Sequence, residues 1–331
     1  MAVGNGFNVT NSYLHQFDDA FQAFLNQGGS RLLGAVTHVP MIGETKTMRQ
    51  VNVGDAHWIT TSGGITEHTA VSHDARELRP RPFACTITLD PIDLVKQGTP
   101  DIGLLVREAG NRCGEKIDDI IIAGLGGNAR TISRGDVPLP TSQIIRWNST
   151  RYAENQQRTM NSQLIDNGLS SSKIAAAVTK LRAKWNSSPI ICVASEHALQ
   201  TLRSDSRSAN IDFNFVQSFA HATNQRFAGV DAFIACQRVD RGTSTIGAAS
   251  IGSSAAIAAP EVEYAYVFAM DQIRLGISKE LTLESGPNPE RNFATTMQYT
   301  GMYDCIRMFE DSVVKIEVYD SHRTPSVVAA N

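Results

Sequence analysis

Apolar residues return every three to four positions from Ile102 to Ile121, in one long run. Ile102, Leu105, Val106, Ala109, Cys113, Ile117 and Ile120–Ile121 form a single stripe, which is helical spacing. Arg107, Glu108, Arg112, Glu115, Lys116, Asp118 and Asp119 fill the remaining faces. Thr99 can cap this helix, Pro100 suits its first turn, and Asp101 meets the positive end of the dipole. Gly124, Gly126 and Gly127 read as its stop. The helix would be about 36 Å long at about 1.5 Å per residue, about twice an average one. A narrow stripe on so long a rod predicts a spine laid along a sheet rather than a helix sunk in a core.

Other periodic segments flank the spine. Leu14, Phe17, Phe21, Phe24 and Leu25 lie at helical spacing before a stop at Gly28-Gly29, and either cover their own core or reach a neighbour. Arg31 to Val39 reads as a strand. Phe83 to Leu89 alternates, with Cys85, Ile87 and Leu89 on one face. Asp90-Pro91 opens a short helix through Val95. Residues 128–168 are polar and carry Pro138 and Pro140; with Ile144–Trp147 extended, they predict a second hairpin or wing. Ser170 to Ser172 offer a cap for a helix whose stripe is Ile174, Val178, Leu181 and Trp185. A strand over Pro189–Val193, a helix capped at Ser195 and running to about Arg203, and strands over Phe227–Cys236 and Glu261–Phe268 predict a mixed α/β domain. Thr243 to Ala259 is rich in small residues and reads as a surface loop. Ile273–Leu283 and Phe293–Met308 read as strands joined by a turn at Gly286-Pro287-Asn288-Pro289, and Val313–Tyr319 as one more.

Glu44 to Pro82 breaks the pattern. Its large apolar residues are few: Met48, Val51, Val53, Trp58, Ile59, Ile65, Val71 and Leu78. Ser62-Gly63-Gly64 is a turn signal near the middle. Two extended arms around that tip make a long hairpin; an unstructured loop of this length inside a domain is uncommon. A two-stranded hairpin without an apolar face is marginal in water, so this one calls for a surface on another chain. Its acidic residues (Glu44, Asp55, Glu67, Asp74, Glu77) balance its basic ones (Lys46, Arg49, Arg76, Arg79, Arg81), which suits polar contacts between subunits better than a polyanion.

The 331 residues are 42% hydrophobic and 19% charged, with a net charge of −3. These are values of a folded soluble protein without a basic field to hold nucleic acid. Five scattered cysteines, without a CxxC pair, predict free thiols in a reducing compartment. The N-terminus lacks the basic region and apolar core of a signal peptide, and no apolar run approaches the ~20 residues needed to span a bilayer.

Candidate chemistry is thin. Ser195-Glu196-His197 holds nucleophile and base types, but neighbours on a helix do not face each other, and a helix cap explains Ser195. The eight histidines never fall at metal-site spacing; His57, His68 and His73 sit on the hairpin without carboxylate or cysteine partners. Gly124-Leu125-Gly126-Gly127 follows a helix, not a strand, and so fails the dinucleotide-loop context. The residues point away from an enzyme, a metal site or a cofactor.

The order of elements carries more: an arm, a thin hairpin, a strand, a very long helix, a wing, an α/β domain, then return strands. Phe24-Leu25-Asn26-Gln27-Gly28-Gly29-Ser30-Arg31-Leu32, His73-Asp74-Ala75-Arg76 through Asp90-Pro91-Ile92-Asp93-Leu94-Val95, and Glu115-Lys116-Ile117-Asp118-Asp119-Ile120-Ile121-Ile122-Ala123 carry a resemblance. So do Ile191-Cys192-Val193-Ala194-Ser195, Tyr266-Val267-Phe268 with Ile273-Arg274-Leu275-Gly276-Ile277, and Asn292-Phe293-Ala294-Thr295. In this order the blocks resemble the major capsid proteins of tailed bacteriophages, with the Hong-Kong-97-type fold.

The resemblance implies an α+β fold. Its parts would be an N-terminal arm (1–43), an extended hairpin or E-loop (44–82), and a peripheral domain (83–170 and 276–308) with the spine helix at about 100–123. An axial domain (171–275 and 309–320) and a C-terminal tail (321–331) complete it. It implies a shell subunit that assembles with itself, in hexamers and pentamers, around double-stranded DNA without sequence-specific binding. Implied partners are a separate scaffolding protein, a portal and a decoration protein; no membrane is involved. The particle would be a virion assembled in the host bacterial cytoplasm. The expected inter-subunit contacts are Phe17, Phe21, Phe24, Arg49, Trp58, Ile59, Ile65, Glu67, Arg76, Arg79, Asn288 and Arg291. Lys46, the hairpin's one lysine, sits at its base, so no cross-link through the tip is expected. The alternatives are an encapsulin-like compartment holding a cargo enzyme, and an α/β enzyme with an unrecognised site.

Overall fold

The computed structural model describes residues 29–58, 68–89, 102–133, 135–146, 168–185, 187–204, 227–243, 261–288 and 294–319. The predicted N-terminal helix, the hairpin tip at Ser62-Gly63-Gly64, the Asp90–Val95 helix, the spine cap at Thr99–Asp101, most of the Thr243–Ala259 loop and the tail lie outside these residues.

A 3-10 turn at Leu33–Ala35 leads into β1 (Thr37–Pro40). Strands β2 (Lys46–Val53) and β3 (Val71–Leu78) follow, then β4 (Arg81–Leu89) and the long helix α1 (Ile102–Gly126). After α1 come β5 (Ala129–Thr131), β6 (Gly135–Val137) and β7 (Ile144–Ile145). The chain continues through α2 (Ser171–Arg182), β8 (Ile190–Ala194), α3 (Glu196–Ser204), β9 (Ala232–Ala235) and β10 (Arg241–Thr243). It closes with β11 (Glu261–Ala269), β12 (Ile273–Asn288), β13 (Ala294–Arg307) and β14 (Val313–Tyr319).

These strands form separate sheets. A four-stranded sheet runs β1-β12-β13-β4, and α1 lies on it. A six-stranded sheet runs β7-β14-β11-β8-β9, with β10 added to β11. A third, four-stranded sheet runs β2-β3-β5-β6 and carries the long hairpin.

Of the predicted stripe on α1, Ala109, Cys113, Ile117 and Ile121 are buried, whereas Leu105 is exposed. Ala109 and Cys113 pack with Leu281 and Tyr299, while Ile117 and Ile121 pack with Ile273, Leu275 and Tyr303. The helix thus spans two core regions, which is why it is long. Strand β8 reads IICVA and is buried throughout, as a strand covered on both faces must be. Ile190, Cys192 and Ala194 face Ile174, Ala177, Val178 and Leu181 of α2, whereas Ile191 and Val193 face the C-terminal half of α1.

Several expectations are corrected. The expected strand over Arg31–Val39 begins only at Thr37, because Ser30 to Leu32 is bound to Asp118 of α1 instead of a sheet neighbour. The glycines at the end of α1 do not stop it at Gly124: the helix runs to Gly126. A Cβ on Gly124 would lie 2.6 Å from the Cys305 carbonyl oxygen, so Gly124 serves close packing on β13. Of the turn expected at Gly286–Pro289, the described residues Gly286, Pro287 and Asn288 are still ladder, pairing with Thr296, Thr295 and Ala294. Of the expected wing, β5 and β6 do form a hairpin, joined to β3 through Arg76 and Thr131. Ile144 and Ile145 leave it and run parallel to Lys315 and Ile316 in the six-stranded sheet. Ser195 caps α3, its Oγ accepting from the Ala198 N–H at 3.1 Å, but Ser170 makes no such bond to α2.

Candidate inter-subunit surface

Strands β2 and β3 pair from Lys46↔Leu78 to Val53↔Val71, a register centred on residue 62, where the sequence places its turn. Side chains alternate across such a ribbon, so its two faces can be read off the register. Met48, Gln50, Arg76 and Leu78 share the inward face. Thr47, Arg49, Val51, Val53, Val71, His73, Ala75 and Glu77 share the outward one.

The inward face is anchored at its base. Leu78 and Met48 pack with Met41, Ala129 and Ile306. The Gln50 side-chain amide donates to the Met308 carbonyl. Arg76 was an expected inter-subunit contact, and the structure corrects this. It is 2% exposed, donates from Nε to the Met308 carbonyl at 3.1 Å, and bonds Thr131 and Glu310 through its other nitrogens. A guanidinium offers five donors in a fixed fork. Here one fork ties the long hairpin, the small β5–β6 hairpin and the Met308–Glu310 connection between β13 and β14.

The outward face is open. Val51, Val53 and Val71 are half or more exposed, and Ile132 is 61% exposed. The Ile132 N–H donates to the Ala75 carbonyl at 3.1 Å, which holds this isoleucine beside the face. Arg49, His73, Ala75, Ile132 and Ser133 line a shallow groove there. Trp58, on the distal part of the hairpin, is 94% exposed. These exposed apolar side chains share the face with the polar Arg49, His73 and Ser133.

The other expected contacts divide as follows. Arg49 and Trp58 lie on the open hairpin. Arg79 is exposed and paired with Glu77 at 2.7 Å, while its backbone N–H donates to Asp304. Asn288 ends β12. Phe17, Phe21, Phe24, Ile59, Ile65, Glu67 and Arg291 lie outside the described residues. The sequence reading missed Ile132 and undervalued Val51, Val53 and Val71. The i, i+2 spacing of Val51 and Val53 was the available signal.

Two buried charges hold the frame behind this surface. Asp118, 4% exposed, accepts from the Ser30 hydroxyl at 2.6 Å and from the N–H groups of Leu32 at 3.1 Å and Arg31 at 3.3 Å. Burial pushes its carboxyl above the ordinary value, and these hydrogen bonds pull it back only in part. Arg307, fully buried, donates to the carbonyls of Leu125, Gly127 and Val137. It therefore satisfies the free carbonyls at the end of α1. Burial lowers its pKa to about 10.

Among the described residues no cluster of His, Cys, Asp and Glu is arranged to hold a metal ion, and no helix is long and apolar enough to cross a membrane. The phage capsid protein family matches residues 9–320. The chain belongs to that family. This capsid protein matches no curated protein, but its fold recurs widely in solved structures. The capsid of Ralstonia phage GP4 aligns with a TM-score of 0.60 at 12% identity, over 88% of each chain. The cyanophage Pam1 capsid aligns at 0.61 and 11% identity, over 88% of this chain and 92% of that one. A virus-like particle from Pyrococcus furiosus aligns at 0.52 and 12% identity, over 92% and 98%. The fold is the Hong-Kong-97-type capsid fold, and the protein is a phage capsid shell subunit.

Proposed function

We propose that many copies of this capsid protein close into an icosahedral head around double-stranded DNA, with the outward hairpin face covered by a neighbouring copy. The observation that carries this reading is the contrast within one hairpin: its base is bonded into its own chain, while Val51, Val53, Trp58 and Val71 stand in solvent. Fully covering one such apolar side chain contributes roughly 1.5–3 kcal/mol, and a closed shell repeats the contact around every axis, so each one can be weak. The aromatic stripe of Phe17, Phe21 and Phe24 is the second contact, tying arms to neighbours. Arg291 and Asn288, near the β12–β13 connection, are the third.

The division into a peripheral domain around α1 and an axial domain around the six-stranded sheet fits such a shell. A net charge of −3 lets a packaged genome move without gripping the wall. Catalysis plays no part in this role. Assembly in the host cytoplasm would use a scaffolding protein and a portal, and a decoration protein could bind outside. The test is the content of purified particles. Double-stranded DNA that survives nuclease supports the reading, whereas shells filled with a protein cargo and free of DNA overturn it in favour of an encapsulin-like compartment.

A further inference from the structure

A hollow of about 360 Å³ lies between the C-terminal half of α1, the start of β4, β5 and the end of β13. The sequence explains the space. After Ile120 the helix presents only Ala123 and Gly124 to it, and Gly124 has to lack a side chain where it packs against Cys305. Phe83, Ile120 and Tyr303 give the hollow an apolar lining, with the two rings 5.8 Å apart.

Its charges are unevenly matched. Arg81, Lys116 and Arg130 come from three different elements and all line the hollow, against one carboxylate, Asp304. Asp304 is already engaged: it accepts from the Arg79 backbone N–H at 2.7 Å and from the Arg130 guanidinium at 3.2 Å. Asp136 stands opposite Arg130 in the β5–β6 ladder but does not line the hollow. Among the described residues, no carboxylate makes an ion pair with Lys116 or Arg81, and both are exposed. Other cations on and beside α1 are neutralised, Arg112 by Glu108 and Glu115, Arg238 by Asp119. Burial raises the Asp304 carboxyl above its ordinary value, against the pull of the Arg79 N–H and Arg130, so water screens charge poorly here. A cleft whose walls carry one sign of charge focuses the field into its interior.

We propose that this hollow binds a phosphate group, with Lys116, Arg81 and Arg130 as a cationic clamp and the Asn128 amide as a neutral donor. Three cations against one carboxylate leave two positive charges in excess. That excess matches the roughly −1.5 to −2 of a terminal phosphate better than it matches a single carboxylate. A guanidinium fork meets two phosphate oxygens at once, and a lysine adds a compact charge on a flexible stem. Arg130 gives Asp304 one of its five donors and keeps the others. The apolar lining takes the group that carries the phosphate. The phosphate belongs either to a nucleic acid or to a free phosphate compound. The site is one spot on each subunit, so the overall charge of −3 does not reveal it. It stands without the reading that the shell encloses DNA.

The experiment titrates the full-length chain with inorganic pyrophosphate in a calorimeter, then repeats the titration with a short DNA duplex present. Binding should weaken as salt rises. Lys116→Gln and Arg81→Gln remove charge at exposed positions and should each weaken binding about tenfold, the loss of one charge-assisted hydrogen bond. Lys116→Arg keeps the charge and should retain binding. Arg238→Gln alters a cation outside the hollow and should leave binding unchanged. The wild-type titration stands by itself if a variant fails to fold. Competition by the duplex assigns the phosphate to a nucleic acid, and pyrophosphate binding that the duplex leaves undisturbed assigns it to a free phosphate compound. Binding of neither probe, binding that survives both glutamine substitutions, or an equal loss in Arg238→Gln would each overturn the proposal.

Discussion

Asp118 and Arg307 show why single side chains matter in a frame this extended. Asp118→Ala leaves the buried N–H groups of Arg31 and Leu32 without their acceptor, and should cost about 2–4 kcal/mol in chemical unfolding. Its pH dependence has a definite sign. The folded carboxyl titrates above the unfolded one because burial outweighs its hydrogen bonds. Ionising it therefore removes stability as pH rises, and protonation restores stability as pH falls. Asp118→Asn cannot ionise, so its melting temperature relative to the wild type should rise as pH climbs above the ordinary carboxylate range; a relative melting temperature that falls with rising pH would contradict this. Arg307→Ala strips three carbonyls of their donor and opens a cavity in the core, a loss of roughly 3–5 kcal/mol. Neither role was legible in the sequence. Asp118 sits one position from Ile117, and only the packing of Ser30–Leu32 against the helix turns that position inward. Nothing local in the sequence announces a fully buried arginine.

The hairpin and the spine were legible for different reasons. α1 declares itself by period, and β2 and β3 by a central turn signal between balanced, weakly apolar arms. Helix extent was less legible: Gly124 reads as a stop, yet it lies inside α1 and packs against Cys305 of β13. β7 was misplaced because its partner, β14, lies far along the chain and pairs in parallel, which no local pattern encodes. The hairpin is the element to test. Val53→Asp puts a charge on the outward face, away from the anchored base, so subunit melting should change by less than about 0.5 kcal/mol. Shell yield by electron microscopy should fall at least about tenfold, the effect of about 1.4 kcal/mol lost per contact. Deleting Thr61–Thr66 should likewise leave a folded subunit that assembles badly. Normal particles from either variant would show that this face has no neighbour.

As a whole, the chain divides its labour between a frame that completes itself and a hairpin that does not. The four-stranded and six-stranded sheets share the spine helix, and their cores are closed by residues of one chain. The third sheet is anchored at its base through Arg76, Leu78 and Gln50. Among the described residues of the hairpin, Val51, Val53, Trp58 and Val71 stand exposed, whereas its base is bonded into its own chain. A map of the assembled particle by electron cryomicroscopy tests this most directly. It should show a neighbouring copy within van der Waals contact of Val51, Val53, Val71 and Ile132. A closed shell in which that face looks onto solvent, or a stable solitary subunit that never assembles, would contradict it.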